Sequence, residues 1–162
     1  MPETEMSEKN GEHPYGDAAQ LILLGLFLLV WGGDSFFLRL STFPADYLPR
    51  YIRLLFLVLS LIIAGCLFKS GHVVINHTRS PQGLVSTGVF KYVRHPLYLG
   101  CLLVYLGLAV STASLISLVL WVIICIFYNY LASYEEKLLE SKFGENYKTY
   151  KGNTGKWLPR LR

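Results

Sequence analysis

The stretch VFKYVRHPLYLG, residues 89–100, sets Lys91, Arg94 and His95 directly against a proline and a long apolar run. Arg94 and His95 offer hydrogen-bond donors suited to a carboxylate, and His95 can also accept a proton. Pro96 fits the first turn of a helix, where its missing N–H costs nothing. His95 and Tyr98 are three residues apart and so share one helical face. A second polar patch, YEEKLLESKFG at 134–144, places Glu135 and Glu136 just beyond the last apolar run. Carboxylates there can take charge-assisted hydrogen bonds from an ammonium or from hydroxyls. A third, ENYKTYKGNTGKWLP, sets Tyr147, Tyr150 and Trp157 among lysines. Each patch also has a plainer reading. Pro96 is a helix start, Lys91 and Arg94 mark a cytoplasmic loop, Glu136 and Glu140 form a solvated face meeting lysines, and the aromatics form an interfacial belt. Composition and spacing leave both readings open.

The elements that must position these residues are membrane spans. The chain has 162 residues, 52% of them hydrophobic, and its apolar residues fall in blocks. The blocks predict four transmembrane helices at about 18–38, 51–69, 97–112 and 115–133. The last two come from splitting one long run at the polar STAS, 111–114. Unpaired backbone rules out open strands in lipid, and the blocks do not alternate as barrel strands do. The fold class expected is therefore an all-α integral membrane protein. Residues 1–17 are expected as a flexible polar tail and 18–162 as a single domain. Lys69, Arg79, Lys91 and Arg94 in the 69–96 loop, with seven more cations in the C-terminal tail, put the loop, the tail and both termini in the cytoplasm. Loop and tail then face each other across a cytoplasmic pocket built from 70–96 and the C-terminal helix. Arg39, Arg50 and Arg53 fall outside, and Asp34, late in the first span, is expected to form an interfacial salt bridge with Arg39 or Arg53.

The net charge of +4 is modest, and no basic-aromatic repeat or recognition-helix pattern suggests nucleic acid. Cys66, Cys101 and Cys125 lie inside apolar blocks without ligand spacing, which predicts buried small hydrophobes and no metal. The oligomeric state is not encoded in any pattern of this kind.

The order of the pieces carries a resemblance. LVSTGVFKYVRHPLYLG, then two apolar segments, then the paired glutamates with Phe-Gly-x-x-Tyr-x-x-Tyr and a later proline, resembles the isoprenylcysteine carboxyl methyltransferase and phospholipid methyltransferase superfamily. The likeness covers about 75–160. It implies S-adenosylmethionine as the methyl donor, S-adenosylhomocysteine as product, and a lipophilic acceptor at the cytoplasmic membrane face: an isoprenylcysteine carboxylate, a phospholipid amine or a small thiol. It also implies cofactor contacts at Gln82, Gly83, Leu84 and Val85. The family often has His at the position of Gln82. Phe90 stands where an aromatic, usually Tyr, touches the cofactor. His95, Pro96, Leu97 and Tyr98 match the His-Pro-x-Tyr contact group. Glu135 matches the cofactor-binding acid, and Glu136 is its neighbour. His95 and Arg94 are the catalytic candidates. The prenylcysteine enzymes carry Arg four residues before that Glu, and this chain has Leu131.

Two other readings compete. Sterol and steroid reductases have a similar Arg-His-Pro-x-Tyr segment and use NADPH, but often follow the glycine with a polar residue where this chain has Cys101. A non-catalytic membrane scaffold would accommodate Leu131.

Overall fold

The computed structural model describes residues 16–77 and 84–160, so most of the expected N-terminal tail, with Gln82 and Gly83, lies outside the described residues. Within them the chain forms five α-helices and no strand. These are α1 (Gly16–Gly32), α2 (Arg50–His77), α3 (Pro96–Thr112), α4 (Leu115–Phe143) and α5 (Glu145–Asn153). A π-helical turn, Gly33–Leu38, extends α1, and 3-10 turns lie at Phe43–Asp46 and Gly88–Lys91.

Three segments are long and apolar enough to cross a membrane: Ala18–Leu38, Arg50–Val74 and Leu115–Phe143. Large apolar side chains cover their outer surfaces, among them Leu29 at 76% and Leu55 at 58% exposed. A soluble protein does not tolerate such a surface, so lipid is its solvent and the chain is a multi-pass membrane protein. The expected fourth span, α3, is apolar but has 17 residues. At about 1.5 Å per residue it reaches about 25 Å, short of a hydrocarbon core of about 30 Å.

Two helices run beyond their expected ends. α2 continues to His77, which shortens the loop expected at 70–96, and α4 continues ten residues past Ser133. Apolar blocks report the thickness of lipid, not the length of a helix. Nothing in 134–143 interrupts the backbone until Gly144, whose φ of 55° ends α4. Glu135 and Glu136 therefore belong to the same rigid helix as the span.

α3 is the central element, with α2 on one side and α4 on the other. Gly100 and Gly107, seven apart, allow α2 close. A Cβ at Gly100 would lie 3.0 Å from the Phe68 ring, and one at Gly107 would lie 3.0 Å from Ser60 Cβ. On the opposite side, Phe27, Leu102, Tyr105, Ala109, Ile124 and Tyr128 form the buried core shared by α1, α3 and α4. Trp31 and Trp121 are half-buried against this core and donate Nε1–H to the carbonyls of Leu108 and Leu102, each at 2.9 Å.

The α3–α4 hairpin turns within two residues. Ala113 takes a left-handed φ of 53° and its N–H caps Ala109 and Val110. Ser114 then caps α4 by accepting from the Ser117 N–H. Asp34 docks here, and the expected ion pair with Arg39 or Arg53 is not what holds it. Its carboxylate accepts from Ser41 Oγ at 2.5 Å, Ser41 N at 3.1 Å and Ser114 Oγ at 2.6 Å. Arg53 instead donates to the carbonyls of Leu48 and Ser111. Short hydroxyls reach a buried acid more cheaply than a long cation whose own charge must be desolvated.

Candidate functional site

Arg94 and His95 precede α3, and Glu135 and Glu136 lie late on α4. The tight hairpin at Ala113–Ser114 returns α4 along α3, which brings these pairs together across about forty residues of sequence. Arg94 Nε donates to Glu136 Oε1 at 2.9 Å, with the two side chains 10% and 7% exposed. His95 Nε2 lies 3.3 Å from the same oxygen, and its Nδ1 lies 3.6 Å from Glu135 Oε2. Tyr98 donates its hydroxyl to Glu135 Oε1. The rings of His95, at the N-cap of α3, and Tyr98, in its first turn, stack with an interplanar angle of 2° and centroids 5.7 Å apart.

The C-terminal tail closes over this cluster. The backbones of Val93 and Gly155 pair as an isolated parallel bridge, with the Arg94 N–H donating to the Gly155 carbonyl at 2.9 Å. The Arg94 guanidinium also donates to the carbonyls of Lys151 and Thr154. Lys151 Nζ reaches Glu136 at 3.5 Å and Glu140 at 3.3 Å. Tyr150 donates to the Phe90 carbonyl at 2.6 Å, which fixes the turn before α3 against α5. Burial pushes the Tyr150 hydroxyl up to about 12, so it remains a donor throughout the working range of pH.

The His95 imidazole titrates below its ordinary value. Burial is the largest cause, Glu136 opposes it, and the charges of Lys156 and Arg94 add to the depression. Glu136 is already shared between Arg94 and Lys151, so its capacity to hold a proton on His95 is partly spent. A neutral ring carries one N–H, so it can donate to Glu136 or to Glu135 but not to both.

Beside the charged cluster lies an apolar hollow of about 190 Å³, lined by Leu99, Leu102, Leu103, Trp121, Cys125 and Trp157. Trp157 belongs to both regions, since its ring also lies 6.0 Å from that of His95.

The structure thus gathers Arg94, His95, Tyr98, Glu135 and Glu136 into one cluster. Pro96 is buried at the first position of α3, and Leu97 follows it half-buried. Phe90 contributes its carbonyl to the tail contact and is itself half-buried. Leu84 and Val85 are half-buried in the approach to the 3-10 turn. Leu131 is 2% exposed within the core of α4. Lys151, Thr154 and Lys156 were not singled out from sequence. The alternation of lysine and small polar residues in the tail carries no sign of which residues fold back, although the expected pairing of the Glu136–Glu140 face with lysines is met through Lys151.

Residues 52–146 match the family described as phospholipid methyltransferase. The chain is 34% identical over 106 residues to the protein-S-isoprenylcysteine O-methyltransferase of Schizosaccharomyces pombe, covering 62% of this chain and 42% of that protein. It is 33% identical over 89 residues to the Saccharomyces cerevisiae protein of the same name, covering 54% and 37%. A probable protein-S-isoprenylcysteine O-methyltransferase of Oryza sativa subsp. indica is 32% identical over 106 residues, covering 62% and 52%. The chain spans between 37% and 52% of the length of these relatives.

Proposed function

The chain belongs to the phospholipid methyltransferase family, and from that premise we propose that it transfers a methyl group from S-adenosylmethionine to a lipophilic acceptor at the cytoplasmic membrane face. The observation that carries this reading is the meeting of Arg94, His95 and Tyr98 with Glu135 and Glu136 in one buried cluster walled by aromatic rings. The donor methyl is already activated on a sulfonium, which keeps the electron pair on sulfur as the acceptor's lone pair takes the carbon. The protein's part is then alignment and exclusion of water.

The residues fit such a ligand. Glu135 suits an ammonium or ribose hydroxyls, which donate to a carboxylate in charge-assisted hydrogen bonds. Phe90 and Trp157 offer faces for adenine or for a sulfonium. Leu84, Val85, Pro96, Leu97 and Tyr98 complete the proposed lining, with Gln82 and Gly83 assigned from the resemblance. Arg94 holds Glu136 and the tail in place. His95, neutral at pH 7, can accept a proton if an amine or thiol acceptor must lose one. The hollow beside Trp157 suits an apolar tail. We assign 18–162 to one domain with α3 as a fourth, short crossing, and both termini to the cytoplasm.

Titration calorimetry of the detergent-purified chain with S-adenosylhomocysteine and with NADPH tests the proposal. Binding of the first and not the second is expected. Binding of NADPH alone would assign a reductase, and binding of neither would assign a scaffold.

A further inference from the structure

Tyr128 belongs to the buried core, yet it also touches the charged cluster. It is fully buried beside Phe27, Leu102, Tyr105, Ala109 and Ile124. Its ring meets that of Tyr98 with centroids 5.2 Å apart and planes at 74°. Aromatic rings favour that near-perpendicular arrangement. The Tyr128 hydroxyl donates toward Gln20 Oε1 at 3.5 Å, so α1 shares in holding it. Packing alone does not call for this residue, because leucine fills an apolar core without a hydroxyl to satisfy.

The geometry of α4 links this contact to Glu135. Tyr128 and Glu135 are seven residues apart on one helix, so they share a face and lie about 10 Å apart along the axis. Leu131 and Ala132 between them are buried, so this face of α4 looks inward. Tyr98, from the first turn of α3, bridges the two turns. Its ring packs on Tyr128 and its hydroxyl donates to Glu135 Oε1. His95 stacks on the same ring with a nearly parallel plane. The hydrogen bond by itself leaves the angle open, because a carboxylate has two oxygens and about four lone-pair sites. The two ring contacts come from different elements and lie at different angles, and together they hold the Tyr98 ring in one orientation.

We infer that Tyr128 is a positioning residue: it fixes the Tyr98 ring so that the Tyr98 hydroxyl aims the Glu135 carboxylate. Tyr128 itself need touch no ligand. The inference rests on the methyl-transfer reading and deepens it, since Glu135 is the acid assigned there to the ammonium or hydroxyls of the cofactor. A hydrogen bond weakens steeply once its angle is lost, and a charge-assisted one has the most to lose. An aim set by the core of the α3–α4 hairpin therefore enters the affinity for cofactor as well as the stability of the fold.

The test measures S-adenosylhomocysteine affinity by calorimetry and melting temperature on the full chain in detergent. Tyr128→Leu is expected to weaken binding by about tenfold or more, as loss of a charge-assisted hydrogen bond implies. Tyr128→Phe keeps the ring and should rescue the affinity, although it gives up the contact with Gln20 and some thermal stability. Ile124→Ala, in the same core, should lower the melting temperature and leave the affinity where it was. The decisive measurement is the double variant. In a Tyr98→Phe background there is no hydroxyl left to aim, so adding Tyr128→Leu should change the affinity by less than about twofold. Should Tyr128→Leu not hold its fold, Tyr128→Met, which fills the space without a ring, must show the same loss. Unchanged affinity in these ringless variants, losses that simply add in the double variant, or an equal loss in Ile124→Ala would overturn the assignment. Absence of binding in the wild type defeats methyl transfer and this role with it, whereas wild-type binding beside a flat Tyr128 series defeats only the role of Tyr128.

Discussion

The α3–α4 hairpin buries acids at both ends, and the two ends solve the same problem differently. At the turn, one carboxylate, Asp34, is held by Ser41 and Ser114, with Ser117 joining through Ser114 Oγ at 2.8 Å. Every partner is short, neutral and local to the turn. At the open end, Glu135 and Glu136 meet Arg94, His95, Tyr98 and Lys151, drawn from the approach to α3, from α3 itself and from α5. The first arrangement satisfies its acid with little to spare. The second contains more ionisable groups than its geometry needs, with His95 between two acids. Burial of a carboxylate in a membrane protein therefore does not by itself mark a site. A surplus of titratable groups from several elements is the stronger sign.

The contrast is sharpest for Glu136. Glu136→Ala would leave the buried Arg94 guanidinium facing no acid. Breaking one side of such a pair costs about 3–5 kcal/mol, so both a marked fall in thermal stability in detergent and the loss of measurable S-adenosylhomocysteine binding are expected. Glu135→Ala should separate the two effects. Glu135 has its Tyr98 partner but no pairing with Arg94, so binding should be lost with a smaller fall in melting temperature. Equal falls in both variants would mean that the open end is scaffold rather than site.

Much of this was legible in the sequence, for physical reasons that differ by residue. The helix start at Pro96 and the shared face of His95 and Tyr98 follow from local geometry, and both are present. That the run must break followed from length, since no single helix of that size fits a bilayer, and the place of the break followed from the polar STAS at 111–114. The junction of 94–98 with 135–136 followed from topology once the hairpin was placed. The fate of Asp34 did not, because serines at 41 and 114 lie far apart in sequence and leave no periodic trace. Nor did the role of the tail. Lys151 and Lys156 look like any solvated lysine until Gly155 pairs with Val93 and turns them inward.

Asp34→Asn tests the turn end. The amide keeps one acceptor and replaces the other with a donor, and the serine hydroxyls can rotate to meet it only in part. A loss of about 1–3 kcal/mol of stability is expected, with affinity for S-adenosylhomocysteine unchanged. A change in that affinity would couple the two ends and remove the distinction drawn between them.

The smallest expected effect is pH dependence at the open end. His95 faces Glu135 and Glu136 from α4 and the cations Arg94 and Lys156, and its folded-state titration lies below the ordinary value of 6.5. The unfolded chain therefore binds more protons than the folded one just below pH 6.5. Stability contributed by the neutral ring is complete above that pH and is lost as pH falls toward the folded value. One proton sets the steepest possible slope at about 1.4 kcal/mol per pH unit. Melting temperatures in detergent between about pH 5.5 and 7.5 should fall on acidification more in the wild type than in His95→Gln, which removes the titration. The other three histidines, His13, His72 and His77, are common to both proteins, so the difference isolates His95. Parallel curves would mean that the two acids, rather than burial, govern the charge on the ring.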